Sequence, residues 1–81
     1  MIKEKNDIRK EYYDNDKLKY EGEYLNGKRN GNGKEYDWLS GELIFEGEYK
    51  DEKRWNGIEK EYINEHCLKF EREYKNGEKK E

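Results

Sequence analysis

Apolar and polar residues alternate with period two along most of this chain. Over 17–25, Leu18, Tyr20, Gly22 and Tyr24 point one way, while Lys17, Lys19, Glu21 and Glu23 point the other. Alternation over that length predicts a half-buried strand rather than a helix. The pattern returns over 42–50 with Leu43, Phe45, Gly47 and Tyr49, and over 67–75 with Leu68, Phe70, Arg72 and Tyr74. Between these lie three weaker alternating runs: 8–13 (Ile8, Lys10, Tyr12), 31–38 (Lys34, Tyr36, Trp38) and 56–63 (Ile58, Lys60, Tyr62). Asn, Asp and Gly fill the intervals, as turns at 14–16, 39–41 and 64–66 and hairpin loops at 26–30 and 51–55. Connections this short join antiparallel neighbours. No 3.6-residue apolar stripe is sustained, so the pattern predicts an all-β antiparallel meander of about six strands.

The strands repeat. Tyr20-Glu21-Gly22-Glu23-Tyr24 returns as Phe45-Glu46-Gly47-Glu48-Tyr49 and as Phe70-Glu71-Arg72-Glu73-Tyr74, so the period is 25 residues. A leucine stands two residues before each start. Between them Lys-Glu-Tyr recurs at Lys10, Lys34 and Lys60. Self-similarity at a fixed period marks a repeat architecture.

Composition narrows the class. The chain has 81 residues, enough for one small domain with a thin stability margin. Its charges nearly cancel, at 18 basic against 21 acidic, and 15% of its residues are aromatic, which favours a folded domain over disorder. A net charge of −3 gives no electrostatic mandate for nucleic acid. Neither a membrane-spanning helix nor a signal peptide is legible, and the lone Cys67 fits a reducing compartment, so the expected location is cytoplasmic. His66-Cys67 is the one pair with catalytic or metal-binding residue types, but neighbours in a strand point to opposite sides. The chain is expected to be no enzyme and to need no cofactor.

The stretch from Tyr20 to Gly33 (YEGEYLNGKRNGNG) resembles a MORN repeat, membrane occupation and recognition nexus, whose pattern runs roughly Tyr-x-Gly-x-Trp/Tyr-x-x-Gly-x-x-x-Gly-x-Gly. The second unit, from Phe45, departs at Glu52 and Glu59, and the third, from Phe70, has Arg72 for the first glycine. The resemblance divides the chain into a polar lead-in (1–7), a partial half-repeat (8–19), repeats at 20–44 and 45–69, and a partial repeat at 70–81. It implies a single-layer twisted sheet of stacked hairpins, scaffolding or protein binding without catalysis, and for some members phospholipid contact. A looser association links such repeats to toxin-antitoxin or immunity systems. The residues themselves give the pattern a reason: Gly22 and Gly47 let aromatic rings lie over the backbone. Gly31 and Gly33 suit a bulge or positive φ. Arg72 in the glycine slot caps the array.

Strand alternation proposes two faces. An aromatic face collects Tyr12, Tyr20, Tyr24, Tyr36, Trp38, Phe45, Tyr49, Tyr62, Phe70 and Tyr74, with Lys10, Lys34 and Lys60 beside them. These rings either form the core or line a groove for a partner, and the lysines either snorkel or accept an acidic group. An acidic face collects Glu11, Glu21, Glu23, Glu35, Asp37, Glu46, Glu48, Glu59, Glu61, Glu71 and Glu73. It is either a solvated face or a docking surface for a basic protein. Trp55 is either a binding anchor or a ring folded over the hairpin. The leading expectation is a non-catalytic protein-binding or scaffolding module. Self-association through a sheet edge or the aromatic face is open to it. The alternatives are an immunity or antitoxin-like protein neutralising a basic effector, and a phospholipid-surface binder, which the charge disfavours.

Overall fold

The computed structural model describes residues 6–64 and 67–80, all in one antiparallel sheet whose strands follow chain order. The strands are β1 (Asp7–Tyr12), β2 (Leu18–Leu25), β3 (Lys28–Tyr36), β4 (Leu43–Lys50), β5 (Lys53–Asn64), β6 (Cys67–Lys75) and β7 (Glu78–Lys79). Extents of 49 × 32 × 13 Å make it a single layer. The meander is therefore as expected, with one strand more. Glu78–Lys79, which lies beyond the last alternating run, pairs with Tyr74 and Lys75. Of the lead-in, Asn6 hydrogen-bonds the Glu23 carboxylate and the Asn30 carbonyl, and Asp7 already belongs to β1.

The two ends of the sheet are built differently. At one end, Asn26-Gly27, Asp51-Glu52 and Asn76-Gly77 have positive φ at both central residues, from 50° to 84°. Those are two-residue type I′ turns, whose twist matches that of the flanking strands. The five-residue loops expected at 26–30 and 51–55 are thus two-residue turns. Their surplus residues are absorbed as bulges, at 30–32 opposite Glu23 and at Trp55 opposite the Glu48/Tyr49 step. At the other end each wide hairpin carries the same irregularity: the register slips at Glu11/Tyr12, Glu35/Tyr36 and Glu61/Tyr62, leaving Lys19, Ile44 and Lys69 as extra residues. The turn at 64–66 lies partly outside the described residues.

The registers put glycine against glycine in mid-sheet, Gly22 opposite Gly33 and Gly47 opposite Gly57. There the rings lie down. A Cβ on Gly33 would stand 2.5 and 2.7 Å from Cε1 and Cζ of Tyr20, and one on Gly57 would meet Phe45 Cζ at 2.8 Å. A single layer has no second sheet to cover its core, so the rings cover the backbone instead. Tyr20, Tyr24, Phe45 and Tyr49 are buried, with Tyr74 packed beside them.

Candidate binding surfaces

The buried rings form one continuous row across the strands. Tyr24, Tyr20, Tyr49, Phe45 and Tyr74 meet edge to face in that order, with centroids 5.1–5.5 Å apart. This is the arrangement that ring quadrupoles favour. Over the row runs a chain of alternating charges. Arg29 bridges Glu11 (2.9 Å) and Glu35 (3.7 Å), Arg54 bridges Glu35 and Glu59 (both 2.9 Å), and Lys79 reaches Glu59 (3.2 Å). The cations recur at 29, 54 and 79, the repeat period. Each also caps a ring: Arg29 lies 4.3 Å above Tyr20, Arg54 4.7 Å above Phe45 and Lys79 5.9 Å from Tyr74. Such stacking strengthens as water is excluded.

Glu35 sits at the centre of this ladder. It accepts from Arg54 Nε (2.9 Å) and from the Tyr49 hydroxyl (2.5 Å). Burial alone would raise its pKa, but the hydrogen bonds from Arg54 and Tyr49, together with both guanidinium charges, hold it below the ordinary value. Burial and the bond to Glu35 push the Tyr49 hydroxyl far up, and burial lifts Tyr20 to about 12. The ladder lies over the aromatic row and covers its buried rings.

Two face assignments need correction. Directly opposed residues of an antiparallel pair share a face, and Glu35 opposes both Tyr20 and Phe45, Glu59 opposes Phe45, Glu61 opposes Phe70 and Glu11 opposes Tyr20. Glu11, Glu35, Glu59 and Glu61 therefore lie on the aromatic side. Conversely, Lys34 opposes Glu21 and Glu46, and Lys60 opposes Glu71. The Tyr36 hydroxyl donates to Glu21 (2.7 Å), so Tyr36 too stands on the reverse face. Tyr62, two residues on from Lys60, bonds the Leu43 carbonyl there (2.8 Å). Alternation holds in mid-strand, but the extra residues Lys19, Ile44 and Lys69 break it, so Leu18, Leu43 and Leu68 oppose Tyr12, Tyr36 and Tyr62 instead of sharing the side of Tyr20, Phe45 and Phe70. What was misjudged is which side of β1, β3 and β5 meets the rings, because a one-residue change of register exchanges the faces of a whole strand.

The reverse face is consequently mixed rather than acidic. Glu21, Glu23, Glu46, Glu48, Glu71 and Glu73 alternate across strands with Lys10, Lys34, Lys60, Asn32, Asn56 and Ile58. Lys34 and Lys60 reach Glu46 (3.7 Å) and Glu71 (3.8 Å). A shallow groove of about 420 Å³ runs here over the glycine backbones, edged by Ile8, Lys10, Asn32 and Lys34.

Trp38 lies in the turn between β3 and β4, and Tyr12 ends β1 on the side of Lys10, opposite Leu18. They project at the wide-turn end of the sheet together with Leu39, Ile63 and Leu68, and all five are 48–68% exposed. The turns beneath them are fixed. Asp37 accepts from the Leu39 and Ser40 amides at 2.9 and 2.8 Å, Asn15 bonds the Trp38 carbonyl and Lys17 the Leu39 carbonyl. Beside this rim opens a cleft of about 300 Å³ lined by Asp37, Leu39, Ser40, Ile44, Lys60, Glu61 and Tyr62. Leu39, Ile44, Ile63 and Leu68 were not singled out from sequence as a surface. Their common signal is position, since each falls next to a predicted wide turn. Trp55 is half-buried at the other end, its ring beside Gly77 and under the Lys50 ammonium (4.7 Å), and its carbonyl accepts the Gly77 amide. It is the ring folded over the hairpin. Phe70 lies on the aromatic side with the Arg72 guanidinium 4.4 Å above it.

Among the described residues no group of three His, Cys, Asp or Glu side chains is placed to hold a metal ion, and no helix could cross a membrane. His66 falls outside the described residues. The chain matches no protein-family model, no curated protein and no solved structure.

Proposed function

We propose that this chain is a non-catalytic protein-binding module, MORN-like in its repeat, which holds its partner at the apolar rim of the wide turns. The observation that carries the reading is the exposure of Tyr12, Trp38, Leu39, Ile63 and Leu68, which all fall at the end of the sheet where the wide turns lie, while the core rings are covered. Exposed apolar side chains gathered at one end of a sheet favour an interaction surface there over singly scattered ones, which are ordinary. An aromatic anchor such as Trp38 on a hydrogen-bonded turn loses little freedom on binding. The adjoining cleft offers Leu39, Ile44 and Tyr62 to an apolar side chain and Asp37 and Lys60 to its polar neighbours. An acidic docking surface has less support, because lysines interleave the glutamates of the reverse face.

A photocrosslinking residue separates the ends of the sheet. Placed at Leu39, it should trap a partner protein in the native cell; placed at Lys28, on the polar turn end, it should not. Crosslinks confined to Lys28, or absent at both, would remove the rim from consideration.

A further inference from the structure

The two lateral edges of the sheet are complementary halves of one repeat. β7 supplies the opening of an odd-numbered strand: Glu78-Lys79 follows its turn as Lys28-Arg29 and Lys53-Arg54 follow theirs. β1 supplies the remainder, Lys10-Glu11-Tyr12 matching Lys34-Glu35-Tyr36. β7 pairs only with Tyr74 and Lys75, so along Phe70–Arg72 the outer side of β6 has no strand among the described residues. If β1 of a second copy continued the sheet there, repeat register would set Glu11 against Phe70, as Glu35 meets Tyr20. It would likewise set Lys10 against Glu71, as Lys34 meets Glu21. Both pairs are favourable. Such a head-to-tail contact does not close on itself and would grow into a filament.

The third pair decides against it. Where the interior places Gly22 on Gly33 and Gly47 on Gly57, this contact places Arg9 on Arg72. Like charges directly opposed across strands repel. The incoming side chain also takes the seat that a ring requires, since a Cβ at the corresponding Gly33 would stand 2.5 Å from Tyr20 Cε1. Phe70 is the ring at this edge, and Arg72 already lies over it. Neither arginine is itself buried in the core: Arg9 is exposed, bound to Asp7 at 3.0 Å with its guanidinium 5.6 Å from the Tyr24 ring, and Arg72 is half-exposed on the outer strand.

We infer that Arg9 and Arg72 are edge guards, which keep copies of this chain from joining β1 to β6 into a continuous sheet. Charged residues at exposed edges are a known means of preventing sheet growth, and here the two guards occupy matching slots of the repeat. The inference is independent of the rim, which lies at the strand ends.

Sedimentation velocity over a hundredfold concentration range tests it. The native chain should run at a single chain's mass, and Arg9→Gly/Arg72→Gly should form a concentration-dependent series of multimers. Amide exchange in the variant should slow at Phe70–Arg72 and in β1 as concentration rises. Arg9→Gly alone, which gives up the exposed guanidinium beside Tyr24 but removes no buried ring, should give the same series at higher concentration and serves if the double variant does not fold. The inference fails if the native chain itself multimerises with protection at Phe70–Arg72, or if folded Arg9→Gly and the double variant both remain single chains.

Discussion

At the scale of single residues, the sheet depends on Glu35, the anion shared by two arginines and a tyrosine. Replacing it with Gln leaves Arg29 and Arg54 facing each other over the ring row without the charge between them. Removing the charged partner of such hydrogen bonds typically costs about 1–3 kcal/mol, and urea unfolding of Glu35→Gln at pH 7 should show a loss of that size. The pH dependence has a definite sign. A carboxyl whose folded pKa lies below its ordinary value of 4.5 contributes stability above 4.5 that is lost as pH falls through the lower folded value. The native chain should therefore weaken more steeply than Glu35→Gln as pH drops below about 4.5. At the alkaline end the tyrosines act. Burial, with the bond to Glu21, lifts Tyr36 to about 12, as burial lifts Tyr20. A raised tyrosine pKa means stability complete below 10 and lost as pH rises towards 12. Tyr36→Phe should flatten part of that decline, which circular dichroism between pH 9 and 12 would read.

At the scale of elements, the hairpins are specified by two different glycine duties. Gly41 has φ +80 and open space around its Cβ position, so alanine there suffers only the left-handed backbone, about 1 kcal/mol. Gly33 has the Tyr20 ring against it. Alanine at Gly33 must displace that ring and with it the edge-to-face contact to Tyr49, an overpacking cost of about 1–3 kcal/mol. Thermal unfolding should rank Gly33→Ala as the more damaging, and Gly33→Ala with Tyr20→Ala should not be additive, because the first change removes what the second would lose. The tight turns interlock as well. Glu52 donates its amide to the Arg29 carbonyl (3.0 Å) and accepts the Arg29 amide at 2.6 Å, and Asn76 bonds Asn56 in the next repeat.

At the scale of the whole molecule, a single layer cannot hide all its large side chains, and the sheet sorts them by position. Rings in mid-sheet lie over glycine backbone beneath a ladder of ion pairs; those at the wide turns stay exposed. Trp38→Ala with Leu39→Ser should leave the melting temperature within about 4 °C, because exposed substitutions usually change stability by under 0.5 kcal/mol each. Trp38→Ala in the chain that carries the crosslinking residue at Leu39 should weaken the crosslink. Tyr49→Ala should do the reverse of this in stability, costing about 3–5 kcal/mol.

The strand order, the antiparallel pairing and the placement of Tyr20, Tyr24, Phe45, Tyr49 and Tyr74 on one side are legible in the sequence, because a period of two and a period of 25 are properties of the chain itself. Which way β1, β3 and β5 face is not, since it depends on how many residues the turns consume. Two-residue turns in place of five-residue loops, with the surplus taken up as bulges, bring Glu35 rather than Lys34 and Tyr36 to the rings. The ion ladder follows from that register: Glu11, the pair Arg29 and Glu35, the pair Arg54 and Glu59, and Lys79 stand on β1, β3, β5 and β7, and meet only when those strands lie side by side. The exposed rim, likewise, is a property of where the turns end in space.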